Sequence, residues 1–231
     1  MTRHARYAIY FIPAAESELY RFGCSVLGYD CYTGEGVPFP DGLDPNGDWH
    51  DLTAEPRRYG FHATLKAPFH LSPSSTEAQL INAFLNFAML GHQVAHMQPV
   101  IRALGDFIAI VPREPSQALN DLANKCTMIF DAFRAPITGQ ERARRMASRP
   151  SPNQMQNLDR WGYPYVFEDF RFHMTLTGRV PSADRNEVIV KLRRLFDPMS
   201  AEREFAVNRL ALVKQSDTQA CFRVLSQAEL G

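Results

Sequence analysis

Two short stretches constrain this chain more than anything else in it: Phe61-His62-Ala63-Thr64-Leu65 and, far downstream, Phe172-His173-Met174-Thr175-Leu176. Each places a histidine and a threonine two residues apart in a run that reads as a β-strand. Successive side chains of a strand point to opposite faces, so His62 and Thr64 share one face while Phe61, Ala63 and Leu65 share the other. His173 and Thr175 are opposed in the same way to Phe172, Met174 and Leu176. A chain with two such strands has to build sheet that is apolar on one side and carries imidazoles and hydroxyls on the other. At ordinary residue frequencies, a histidine followed by threonine at +2 and leucine at +3 is roughly a one-in-a-few-hundred coincidence. Two such cases among seven histidines are on the order of one in a few thousand. Paired imidazoles beside hydroxyls are the parts of an acid–base site, because the ordinary imidazole pKa lies near neutrality. The polar faces continue outward into cations, Lys66 in the first copy and Thr177 with Arg179 in the second.

With these motifs the chain resembles the 2H phosphoesterase superfamily, which is defined by two H-x-T/S-hydrophobic motifs. The longer runs Arg58-Tyr59-Gly60-Phe61-His62-Ala63-Thr64-Leu65-Lys66-Ala67-Pro68-Phe69 and Trp161-Gly162-Tyr163-Pro164-Tyr165-Val166-Phe167, continuing to Phe170-Arg171-Phe172-His173, are similar to its bacterial branch found with phosphonate-utilisation genes (DUF1045-like). The resemblance implies an internally duplicated fold, catalytic His62, Thr64, His173 and Thr175, and chemistry without a metal or other cofactor.

Lys+Arg and Asp+Glu are both 25, for a formal net charge of +0. That balance argues against sequence-blind binding of long nucleic acid, which needs clustered basic surface, and leaves room for a small anionic phosphate-containing substrate. There is no apolar run of membrane-spanning length and no basic-then-apolar leader pattern, so no membrane partner is expected. No obligate protein partner is evident. Cys24, Cys31, Cys126 and Cys221 have no C-x-x-C spacing, and reduced thiols in a cytoplasmic protein account for them. Asp41, Asp44 and Asp48 lack the glycine and terminal glutamate of a calcium loop.

Along the chain, Arg6–Ile12 reads as a strand with Tyr7 and Tyr10 on opposite faces. Either one is a candidate to line the site. A helix over 14–27 leads into a Gly-, Pro- and Asp-rich loop, 28–55, that could lie over the site. After the first motif strand (58–69) come a helix over 75–89, a hairpin of strands 100–104 and 107–112, and a helix over 116–133. Gly91 breaks the helical pattern before His92 and His96, which read as surface residues. The segment 136–165 is arginine- and proline-rich, with a short helix over 141–146. After the second motif strand (171–180) come a helix over 182–196 and strands over 205–215 and 220–225. The order strand, helix, strand, strand thus follows each motif.

Together with the resemblance, this pattern predicts an α+β fold. It would be one bilobal domain over 1–231, with lobe 1 mainly 14–135, a linker at 136–165 and lobe 2 mainly 166–231. Two antiparallel sheets would face each other across a central cleft, with helices on their outer faces. In such a cleft one histidine would deprotonate the nucleophile and the other protonate the leaving oxygen. Thr64 and Thr175 would bind the non-bridging oxygens, and Lys66, Arg179 and Lys214 would add positive potential. Tyr10, Tyr59, Tyr163 and Arg171 are the remaining substrate-binding candidates. The expected activity is metal-independent hydrolysis of a small cyclic phosphate or phosphodiester. The alternatives are a 2′,3′-cyclic nucleotide phosphodiesterase or RNA-end ligase, and a non-catalytic binder of a phosphorylated ligand. The binder has no use for two matched proton-transfer groups.

Overall fold

The computed structural model describes residues 5–44, 47–200 and 204–231, with backbone alone at 199–200. Strand β1 (Arg6–Phe11) is followed by helix α1 (Glu18–Leu27). The Ser17 side chain accepts the Tyr20 N–H at the start of α1, and Gly28 closes it at φ 73°, the left-handed conformation that favours glycine. Two short helices, α2 (Asp48–Leu52) and α3 (Ala54–Arg57), precede β2 (Ala63–His70). Next come α4 (Glu77–Ala88), β3 (Ala95–Met97), β4 (Pro99–Leu104), β5 (Phe107–Pro112), α5 (Gln117–Phe130), α6 (Gly139–Met146) and α7 (Pro152–Trp161). The chain ends with β6 (Met174–Thr175), α8 (Arg185–Ser200), β7 (Phe205–Val207), β8 (Arg209–Gln215) and β9 (Arg223–Glu229).

The α+β class holds, but the expectation of two large sheets facing each other is corrected. Among the described residues, seven strands form one antiparallel sheet in the order β4-β5-β6-β2-β1-β8-β9, and β3 pairs with β7 in a small second sheet. The two motif strands are neighbours in the large sheet. Ala63 on β2 pairs with Met174 on β6, which pairs in turn with Ile110 on β5. The hairpin that follows each motif in sequence docks on the far side of the other motif strand: β4–β5 beside β6, and β8–β9 beyond β2 through β1.

The second motif strand is two residues long where alternation predicts ten. Its backbone bonds are diverted: Leu176 and Thr177 N–H donate to the Ile108 carbonyl, Gly178 N–H to Leu52 and Val180 N–H to Asp106. The chain therefore peels off the ladder and packs against α2, where a Cβ on Gly178 would lie 2.8 Å from the Leu52 oxygen.

The 28–55 stretch read as a loop holds α2, and the short helix expected over 141–146 is present as α6. Trp49 on α2 is buried, and its indole N–H donates 2.8 Å to the Val26 carbonyl, tying the 28–55 stretch to the end of α1. Both α6 and α7 in the 136–165 segment begin with a capping box, Thr138 with Glu141 and Ser151 with Gln154. The Thr-x-x-Glu and Ser-x-x-Gln spacings that mark such starts stand in the sequence. His92 is not a surface residue: it is buried, with Nε2 2.7 Å from the Phe87 carbonyl at the end of α4. His96 is exposed, on β3.

One face of the central strands holds the core. Phe61, Ala63, Phe172 and Met174 are buried there, with Phe11 against Phe172. Helix α1 lies close against it, since a Cβ on Gly23 would fall 2.1 Å from the Phe61 ring. Phe22 of α1 packs on Phe196 of α8 at 5.0 Å. The other face carries the polar motif residues, and α5 covers part of it.

Candidate active site

Pairing of Ala63 with Met174 fixes the positions around it. In an antiparallel pair the same register sets His62 across from Thr175 and Thr64 across from His173. Continuing the strand alternation on either side of that pair puts all four side chains on the face opposite the core. Two adjoining chambers reflect this crossing. One, of about 360 Å³, is lined by Thr64 and His173; the other, of about 270 Å³, by His62 and Thr175. Phe107 forms a wall of both, and its ring lies 5.6 Å from that of His173.

The two histidines are held alike. His62 Nδ1 is 2.8 Å from the Gly60 carbonyl and His173 Nδ1 is 2.7 Å from the Arg171 carbonyl. A carbonyl oxygen can only accept, so each ring carries its proton on Nδ1 and presents Nε2 as an acceptor. His62 Nε2 lies 3.1 Å from the Thr64 hydroxyl, which donates to it. Gly60 can supply its carbonyl because its φ of 73° suits glycine, and a Cβ there would meet Cys31 Cβ at 2.8 Å. Burial pushes the His62 imidazole down to about 4, with a smaller repulsive contribution from His173. Burial lowers His173 as well. The repulsion between the rings agrees with their placement across one site.

Tyr10 pairs with Thr64 across the β1–β2 ladder. Its ring stacks on His62 with centroids 3.7 Å apart, and it is wholly buried, with a hydroxyl that has no hydrogen-bond partner among the described residues. Burial holds that phenol well above its ordinary range. Of the two tyrosines on β1, Tyr10 is therefore the one beside the histidines. Tyr7 donates 2.5 Å to Glu77 on α4.

The other candidates divide. Tyr59 and Arg179 line the smaller chamber, Arg179 in an exposed ion pair with Asp106 at 3.1 Å. Tyr163 and Arg171 line the larger one, with the Arg171 guanidinium donating to the Glu168 and Phe170 carbonyls. Two cations are committed elsewhere. Lys66 is buried one step further along the same strand face, under α5, donating 2.7 Å to Asp131 and 3.2 Å to the Thr127 carbonyl. Lys214 pairs with Glu77 at 2.5 Å. Neither lines either of these two chambers, and both are held in ion pairs with carboxylates. Phe107 and Asn124 line the larger chamber or its wall and carry no motif that would single them out in sequence. Arg145 on α6, whose guanidinium lies 4.8 Å over the Tyr163 ring, is one of a run of arginines whose spacing does not distinguish it.

The family model described as "Protein of unknown function (DUF1045)" matches residues 64–223, more than half of the chain. The ribose 1,5-bisphosphate phosphokinase PhnN of Janthinobacterium sp. (strain Marseille) is 38% identical over 203 residues, covering 87% of this chain and 43% of that protein. The protein of the same name from Laribacter hongkongensis (strain HLHK9) is 31% identical over 224 residues, covering 95% of this chain and 50% of that protein. The chain thus spans half or less of the length of these curated relatives. Among solved structures, E. coli LigT complexed with NADP+ aligns over 99% of this chain and 98% of its own at 14% identity and a TM-score of 0.43. A phosphoesterase aligns over 100% and 99% at 12% identity and a TM-score of 0.41.

Proposed function

The chain belongs to the DUF1045 family, and from that membership together with its paired motifs we propose that it is a 2H-type phosphoesterase acting on a small cyclic phosphate or phosphodiester. The observation that carries this reading is the pairing of Ala63 with Met174, which sets the His62–Thr64 motif beside the His173–Thr175 motif in one sheet. A phosphoryl group seated between the strands meets an imidazole from each side and a hydroxyl beside each imidazole. One histidine takes the proton of the attacking water through Nε2 as the new P–O bond forms. The other gives a proton to the ester oxygen as its bond to phosphorus breaks. Each step of this kind contributes typically 10²–10⁴-fold. Thr64 and Thr175 donate to the non-bridging oxygens as charge grows on them.

Burial disfavours the charged form of both rings before substrate arrives. Neutrality suits the base. The acid gains its proton with the phosphate in place, because an adjacent anion stabilises imidazolium. The name of the curated relatives, ribose 1,5-bisphosphate phosphokinase PhnN, supports a role near phosphonate metabolism and puts ribose phosphates among the first substrates to try. The test is a panel of cyclic phosphates assayed with chelator present, using wild type, His62→Ala and His173→Ala. Turnover in wild type that falls at least 10²-fold in each variant is expected. Turnover unchanged in either variant would overturn the proposal.

A further inference from the structure

A chain of hydrogen-bonded side chains ends against Gly60, the residue whose carbonyl holds the His62 proton. Tyr20 on α1 and Cys31 are 1% and 0% exposed. The Tyr20 hydroxyl donates 2.6 Å to the Asp30 carboxylate, which also takes the Tyr32 N–H at 2.8 Å. A phenol has one hydrogen, and that bond uses it. The Tyr20 oxygen therefore accepts twice from Cys31: from its backbone N–H at 3.1 Å and from its thiol, with Sγ at 3.3 Å. Burial keeps both groups protonated as this requires, holding the phenol well above its ordinary range and pushing the thiol up to about 12. With the donor and both lone pairs of Tyr20 engaged, the Cys31 side chain is pinned in place.

That side chain fills the space a side chain at position 60 would need. A Cβ on Gly60 would lie 2.8 Å from Cys31 Cβ and 3.1 Å from its Sγ. Gly60 has no side chain to anchor it, and its N–H is held by the Arg57 carbonyl at 3.1 Å. Cys31 is tied in turn to the sheet, its carbonyl accepting the Val224 N–H of β9 at 2.9 Å. The His173 side differs, because its Nδ1 partner is the carbonyl of an exposed residue, Arg171. Burying a hydroxyl and a thiol costs desolvation that apolar side chains would not incur, and a fully satisfied polar network rigidifies what it touches. We propose that Tyr20 and Cys31 are positioning residues for His62: together with Asp30 they clamp Gly60, and through its carbonyl they set the ring angle and the Nδ1–H tautomer. The effect on the ring is independent of the reaction; the effect on turnover rests on the phosphoesterase reading.

The test is nitrogen NMR of the His62 ring at neutral pH in wild type, Tyr20→Phe, Cys31→Ala, Cys31→Ser and, as a control, Tyr32→Phe. The Tyr32 hydroxyl has its own bonds, to the Pro13 carbonyl and from Gln227, and these do not lead to Gly60. In Tyr20→Phe and Cys31→Ala the Nδ1 and Nε2 shifts of His62 should move toward each other as the Nε2–H tautomer gains population, while those of His173 and of the control stay in place. Turnover of a cyclic phosphate should fall about tenfold in kcat with KM within about twofold, because a slightly misplaced base loses proton transfer before it loses binding. Cys31→Ser keeps a hydrogen for Tyr20 and should recover most of both signals. Cys31→Ala, which removes only the thiol, carries the test if Tyr20→Phe does not fold. Unchanged His62 shifts in the folded variants, or equal changes in Tyr32→Phe, would overturn the positioning role. Moved shifts in a protein that turns over no cyclic phosphate would retain that role and overturn the phosphoesterase reading.

Discussion

The neutrality of His62 has a measurable consequence for stability. Its imidazole is pushed down to about 4, whereas in the unfolded chain it returns to an ordinary value near 6.5. Between those values the unfolded chain binds more protons than the folded one, so stability falls as pH drops through that window and rises with pH across it. From pH 7 to pH 5 a fully buried ring would lose about 2 kcal/mol by this linkage. The His62 side chain is partly exposed, and solvent screening brings the expected loss to about 1 kcal/mol. His173, lowered for the same reason, adds in the same direction. Urea unfolding at both pH values, in wild type and His62→Gln, isolates the first contribution: wild type should lose about 1 kcal/mol more than the variant. Inorganic phosphate at pH 5 should return part of that difference, since an anion in the site favours imidazolium. Equal losses in the two proteins would refute the claim that the fold holds this ring neutral.

Tyr10→Phe removes a buried hydroxyl that has no partner and should raise stability by about 1 kcal/mol, or about 2–4 °C in Tm; a lower Tm would mean that the hydroxyl is satisfied. Lys66→Met breaks the buried pair with Asp131, which keeps Arg134 at 2.7 Å. It should cost about 1–3 kcal/mol in denaturant melts while KM stays constant, and a raised KM would put Lys66 back on the substrate. Gly60→Ala forces a Cβ into a left-handed residue against Cys31 and shifts the carbonyl that orients His62. A fall in kcat beyond about tenfold is expected, with altered nitrogen shifts of His62, and unchanged shifts would refute the tautomer assignment.

The working face was legible because alternation in a strand is local: His62 with Thr64, and His173 with Thr175, need only the period of two. Their mutual placement was not, since it depends on which strands pair and in what register. The sequence order of the two halves reads as separate lobes, whereas each hairpin docks beside the opposite motif and one sheet results. Lys66 shows how far alternation reaches. It shares the face of His62 as the period requires, yet α5 covers that face one step on and Asp131 takes the ammonium. Asn124 and Phe107 acquire their meaning only from what the tertiary structure puts beside the motifs. The Gly60 carbonyl is not legible in the sequence although Gly60 lies inside the motif run, because backbone acceptors leave no residue-type signal.

One residue pair, Ala63 with Met174, joins the first motif strand to the second. Both are apolar, and neither takes part in any chemistry. A single-residue insertion on either side of that contact would preserve composition, motifs and most of the sheet, yet turn one histidine and its threonine into the core. Loop length elsewhere leaves that register untouched, whereas the count of residues between each turn and its motif sets it.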